Sequence, residues 1–174
     1  MKRLQRVFLL LCVSMLLTGC IGNPYKAGIK NLKDGEYSKA AECFHEAVEE
    51  EKNLADSYRG LGIALWEQGE YEGAYEAFGN AVSEGTKVSA TLYSLMANCA
   101  MEIKVYDKAA EYYELALSME DISEELKKET QYNLIAAYEY SGNVEKAKES
   151  VDEYIASYPD DADVLREAEF LETR

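Results

Sequence analysis

Four cysteines, one histidine and a surplus of carboxylates are the side chains of this sequence that could do chemistry. His45 has no cysteine or second histidine at ligand spacing. It falls beside the inward positions Phe44 and Ala47, so it reads as an exposed surface residue rather than a metal ligand or triad member. Carboxylates recur at helical spacing, as in Glu46/Glu50 and Glu120/Glu124. Acid–base catalysis needs such groups in a pocket that pushes their pKa values apart, whereas these belong to solvated helix faces. Gly60-Leu61-Gly62 has none of the surroundings of a phosphate loop and reads as a place where helices approach closely. The residues predict no catalytic group, no metal site and no cofactor. Chemistry is expected at one position only, Cys20.

Cys20 closes the segment MKRLQRVFLLLCVSMLLTGC. A basic start is followed by the apolar run Val7 to Leu17, which is short for a membrane span of about 20 residues and has the layout of a secretory signal. Its end, Leu17-Thr18-Gly19-Cys20, resembles the bacterial lipobox: an aliphatic residue, two small ones, then cysteine. The resemblance implies a signal peptide over 1–19 and a lipid thioether on Cys20, with 20–22 the lipidated N-terminus. Because each buried methylene contributes about 0.8 kcal/mol, two or more acyl chains would hold the protein on a membrane. The expected address is the non-cytoplasmic side of a bacterial membrane. Cys12 leaves with the signal. Cys99 falls on an inward stripe and Cys43 on an outer face, so both are expected as free thiols.

These sites must be carried by the rest of the chain, and it repeats. Gly35-Glu36-Tyr37-Ser38-Lys39-Ala40 recurs at Gly69–Ala74, as Lys104-Val105-Tyr106-Asp107-Lys108-Ala109, and at Gly142–Ala147. The steps are 34, 35 and 38 residues. Each motif opens a small–aromatic–small stripe: Ala40/Phe44/Ala47, Ala74/Phe78/Ala81, Ala109/Tyr113/Ala116 and a degenerate Ala147/Val151/Tyr154. Small residues allow paired helices to approach, and the rings fill the space between pairs. Lys104 replaces the turn glycine, and Tyr154 stands where a small residue is expected, predicting a looser or different packing of the last pair.

This pattern is similar to the tetratricopeptide repeat (TPR), a helix–turn–helix unit of 34 residues, best in the second unit at Tyr58, Leu61, Gly62, Ala74, Phe78 and Ala81. The resemblance implies an all-α, right-handed solenoid over 23–161, with units at about 21–54, 55–88, 90–123 and 128–161. Asn23-Pro24 starts the first helix, and Ser123-Glu124-Glu125 a longer one in unit four. The segment 162–174 reads as a capping helix with Val164, Leu165, Ala168 and Leu171 inward and Asp163, Arg166, Glu167 and Glu169 outward.

Among 174 residues, 33 Asp+Glu outnumber 18 Lys+Arg, a net charge of −15. Loss of Lys2, Arg3 and Arg6 with the signal brings it to −18. Such a surface disfavours nucleic acid, and 48% hydrophobic residues disfavour disorder. The resemblance further implies that the first helices line a groove for a protein or peptide. Its candidates are Tyr25, Ile29 and Lys33; Asp56, Arg59, Ile63 and Trp66; Ser94, Asn98 and Met101; and Glu129, Tyr132, Ala136 and Tyr140. The paired lysines and asparagines with which one branch of the family clamps a carboxylate are absent. The expected partner is a basic or neutral segment with apolar anchors, and Trp66, just off the Leu61/Leu65 stripe, is its favoured contact. The expected function is a membrane-anchored, non-enzymatic scaffold. Its rivals are a structural envelope-assembly or pilotin-type component and a non-catalytic accessory subunit of an envelope enzyme.

Overall fold

Asn23 starts the first helix, its side-chain Oδ1 accepting from the Lys26 N–H at 3.0 Å, with Pro24 in the first turn where no N–H is needed. The computed structural model describes residues 22–173; the segment expected to be a signal peptide and the expected lipidation site Cys20 lie outside them. Among the described residues there are nine helices and no strand: α1 (Pro24–Lys33), α2 (Tyr37–Glu49), α3 (Leu54–Trp66), α4 (Tyr71–Ser83), α5 (Ala90–Glu102), α6 (Tyr106–Leu117), α7 (Glu124–Ser141), α8 (Val144–Ser157) and α9 (Ala162–Glu172).

The helices pair as the motif predicts, and all four intra-pair turns share one geometry. In each, an N–H two to four residues beyond the helix reaches back to a carbonyl five residues earlier: Glu36 to Asn31, Glu70 to Leu65, Val105 to Ala100 and Asn143 to Tyr138, at 2.8–2.9 Å. This closure needs a left-handed residue in the turn. Gly35, Gly69 and Gly142 supply it, and in the third unit Lys104 does so at φ 62° despite its side chain.

The interior is a stack of rings and small residues. Phe44 and Phe78 are fully buried and Tyr113 is 1% exposed. Phe44 lies between Gly28 and Gly60, and Phe78 lies against Gly62; at each glycine a Cβ would collide with the ring. The Gly60-Leu61-Gly62 run is therefore close packing, as the sequence indicates. Tyr154, expected to make the last pair looser or differently packed, makes it different and not loose: it is 1% exposed, and its hydroxyl donates to Asp161 Oδ2 at 2.9 Å. The alanine-sized slot is replaced by a ring whose polar end reaches the next loop.

Cys99 is fully buried among Phe78, Leu92 and Met96, as expected. Cys43 corrects the reading of an outer, free thiol. It is only 4% exposed, lies in hydrogen-bonding reach of Asn31, and is disulfide-bonded. Cys99 is a free thiol. The buried set of α2 is Ala40, Cys43, Phe44 and Ala47, so the inward stripe is wider than the three residues that define the motif.

In α9, Val164 and Leu171 are buried, but Leu165 is 40% and Phe170 48% exposed. The expectation that Leu165 faces inward is thus corrected. It lies one residue past Val164, about 100° round the helix from it.

Candidate functional site

First helices of neighbouring units meet at two of the three junctions, α1 with α3 and α5 with α7, while the second helices make no comparable contacts with one another; the first helices are taken as the inner layer on that ground. Side chains on that layer are fixed by backbone–ring packing beneath them.

The structure distributes the expected groove residues unevenly. Tyr25 is half-buried, its ring edge-on to Phe44 at 6.2 Å, and is part of the first core layer with Ile29. Asp56 and Arg59 form an exposed ion pair at 2.8 Å. Ile63 and Met101 are half-buried against core layers. Trp66 is no free anchor: its ring packs on Tyr71 at 5.0 Å, across the turn, and against the second core layer. Ser94 is buried, sharing a 3.0 Å hydrogen bond with Thr130 that ties α5 to α7. Asn98 accepts from the buried Tyr113 hydroxyl, so its side-chain oxygen is committed to the interior. Tyr140, 65% exposed, stacks on Tyr106 at 5.1 Å. It stands eight residues, about 12 Å, along α7 from Tyr132.

Glu129 and Tyr132 are brought together with residues that the motif did not single out. α7 begins a turn earlier than its repeat position requires, with Ser123 as N-cap at 3.2 Å from the Leu126 N–H. This extra turn carries Glu124, Glu125 and Lys128 to the C-terminal end of α8. There, Glu124, Glu125, Lys128, Glu129, Tyr132, Tyr154 and Tyr158 line an open cleft of about 550 Å³. The Tyr132 ring meets Tyr154 edge-on at 6.3 Å, and Tyr154 meets Tyr158 at 4.8 Å. Lys128 Nζ lies 5.2 Å from the centre of the Tyr158 ring and 3.1 Å from Asp161 Oδ2. Hydrogen bonds from Lys128 and then Tyr154 hold the Asp161 carboxyl below its usual range. Burial, then the hydrogen bond to Asp161, pushes the Tyr154 hydroxyl well up, so it remains a neutral donor. Two sequence signals marked this place: the 38-residue step, and a tyrosine at a small-residue position. Neither identified Lys128, Tyr158 or Asp161.

No chemical centre accompanies the cleft. Among the described residues no group of histidine, cysteine or carboxylate side chains could hold a metal. Of the carboxylate pairs, Glu50, Glu120 and Glu124 are exposed, and Glu50 pairs with Lys52. His45 is exposed, 3.5 Å from Glu49. No described helix is long and apolar enough to cross a membrane.

Paired antiparallel helices, one shared turn geometry and a ring-filled stack define an all-α helical-repeat solenoid. The chain belongs to the tetratricopeptide repeat family: one tetratricopeptide repeat model matches residues 25–86 and 60–124, and a second matches 129–161. Solved structures agree in fold. YrrB, described as a TPR protein with an unusual peptide-binding site, superposes with a TM-score of 0.73 at 17% identity, over 86% of this chain and 75% of that one. MamA gives 0.70 at 18%, over 85% and 78%. MamA from Desulfovibrio magneticus RS-1 gives 0.68 at 20%, over 88% and 86%. No curated protein sequence matches the chain significantly.

Proposed function

We propose that the protein is a lipid-anchored scaffold that holds a protein segment on its first-helix face, on the non-cytoplasmic side of a bacterial membrane. The observation that carries the binding role is the inner layer itself. Its buried side is locked by ring-on-glycine contacts, while its open side presents Asp56, Arg59, Glu129 and Tyr132 on a backbone that needs no ordering. Binding of a peptide by YrrB, a protein of the same fold, supports the same use here. The anchor rests on the Leu17–Cys20 motif, and α1 begins at Pro24, so the array would stand close to the bilayer. The surface is strongly acidic, so a basic or neutral segment with apolar anchors fits it, and its association weakens as salt screens the attraction.

The test uses the full chain in a bacterial host, with a photo-crosslinking residue at Arg59 on the first-helix face or at Glu76 on the second-helix face. A discrete adduct from position 59 and none from position 76 is expected. Equal adducts from both faces would sink the groove reading. Separately, Cys20→Ser should abolish palmitate labelling and release the protein from membranes; retained label would remove the anchor.

A further inference from the structure

The cleft at the end of the array has a composition that selects its ligand. Tyr132 is 48% exposed and offers its ring to solvent, while its edge-on contact with Tyr154 fixes its orientation. Glu124, Glu125 and Glu129 stand round the mouth, all exposed and none in an ion pair with a cation among the described residues. Lys128 is the one cation in the cleft, and it is already engaged with Asp161 and the Tyr158 face. The protein's own ammonium thus shows what the site accommodates: a cation laid on a tyrosine ring and neutralised by a carboxylate. Among the described residues, that arrangement has its cation at the Tyr158 end, while the Tyr132 end offers a ring and carboxylates.

We propose that the Tyr132 end of this cleft receives one basic side chain, preferentially arginine, from a bound protein segment. A planar guanidinium can stack on the exposed tyrosine ring while forking to Glu129 or Glu125, which an ammonium cannot do. Charge complementarity commits the occupant, because three carboxylates without a cation partner among the described residues face a cleft whose one described lysine is already engaged. The extra turn of α7 supplies two of the three, so the site belongs to this chain's departure from the 34-residue unit. Glu129 and Tyr132 also lie on the first-helix face, so a segment lying along that face would reach the cleft at its C-terminal end. The inference rests on the scaffold reading and names the residue that such a segment must carry.

The full chain in detergent micelles, with ring-labelled tyrosines, is titrated with the blocked tripeptide Leu-Arg-Leu, with its citrulline counterpart, and with phosphocholine. The arginine peptide should move the Tyr132 resonance and saturate, with citrulline at least tenfold weaker. Glu129→Gln, an exposed change that leaves packing intact, and Tyr132→Ala, followed at the Tyr154 and Tyr158 resonances of the same cleft, should each weaken binding about threefold to tenfold. Glu42→Gln/Glu72→Gln/Glu76→Gln, which removes charge from the second helices, should leave it unchanged. No shift, an equal response to citrulline, or equal weakening by the remote triple change would overturn the site. Tighter binding of phosphocholine at the same ring would assign the cleft to a lipid headgroup and overturn it as well. Because the peptide titration uses neither the natural partner nor a membrane, its failure leaves the crosslinking result standing, and the reverse.

Discussion

Gly62 faces Phe78 so closely that a methyl group on its Cα would stand 2.6 Å from the ring. Two helices of one repeat meet there with a full aromatic ring but no second side chain between them. The contact sets the position of α3, and with it the open face that carries Asp56 and Arg59.

Gly62→Ala should therefore destabilise the fold, although alanine is the better helix former by about 1 kcal/mol. Overpacking of about 1–3 kcal/mol outweighs that gain. Gly79→Ala, in α4 with nothing within 4 Å of its Cβ position, should show the propensity gain alone and melt higher. Thermal melts of both variants check the pair; a stabilised Gly62→Ala would refute the packing.

Lys104 holds a left-handed turn that glycine holds in the other three units. Lys104→Gly should raise stability by up to about 1 kcal/mol, the relief of a left-handed residue less the entropy that glycine adds to the unfolded chain. The melting temperature should rise with no change in helix content. A fall would mean that the lysine side chain contributes something the turn geometry does not show.

Burial pushes the Cys99 thiol up to about 12 from its ordinary 9.0. The native state therefore favours the neutral thiol. The associated stability is present below pH 9 and lost as the pH rises towards the folded value. Cys99 should resist alkylation at pH 8 in the native protein and react on unfolding, as mapped by peptide mass. Cys99→Ala should flatten the decline in melting temperature above pH 9.

The Asp161 carboxyl is depressed by its hydrogen bonds from Lys128 and Tyr154. A depressed carboxylate stabilises the fold above its unfolded pKa, and the effect is lost as the pH falls through the lower folded value. Asp161→Asn should therefore change little in the melting temperature's slope near pH 7 but remove part of its slope below pH 4. An unaltered acid limb would show that the Lys128 and Tyr154 contacts with Asp161 do not persist in solution.

The Trp66 ring, half-buried on Tyr71, makes Trp66→Ala a stability variant first. Its melting temperature should drop by several degrees, corresponding to about 1–2 kcal/mol, below the 3–5 kcal/mol typical of a fully buried aromatic truncation. Partner capture should survive at temperatures where the variant is folded. Lost capture with an unchanged melt would return Trp66 to the binding face.

The sequence by itself determined the pairing of helices, the turn positions and the identity of the ring-bearing interior. Each of these depends on residues a few positions apart, and the 34-residue recurrence repeats the same local demand at Ala74, Phe78 and Ala81 as at Ala40, Phe44 and Ala47. The likeness of those short patterns also made the cap of α1 at Asn23 and of α7 at Ser123 legible, since capping is settled within three residues. Burial at Cys43, the commitment of Asn98 to Tyr113 and the packing of Trp66 were not legible, because helix periodicity gives the direction of a side chain but not what the neighbouring helix places against it. The cleft shows the same division more sharply. Tyr132 and Glu129 could be read as exposed from their register, but Lys128 and Tyr154 come from two separate helices, and Tyr158 and Asp161 from the loop that follows α8. Only the tertiary structure decides their meeting, because the buried Tyr154 ring touches Tyr132 of α7 while its hydroxyl reaches Asp161 in the next loop, which brings side chains far apart in sequence into one space.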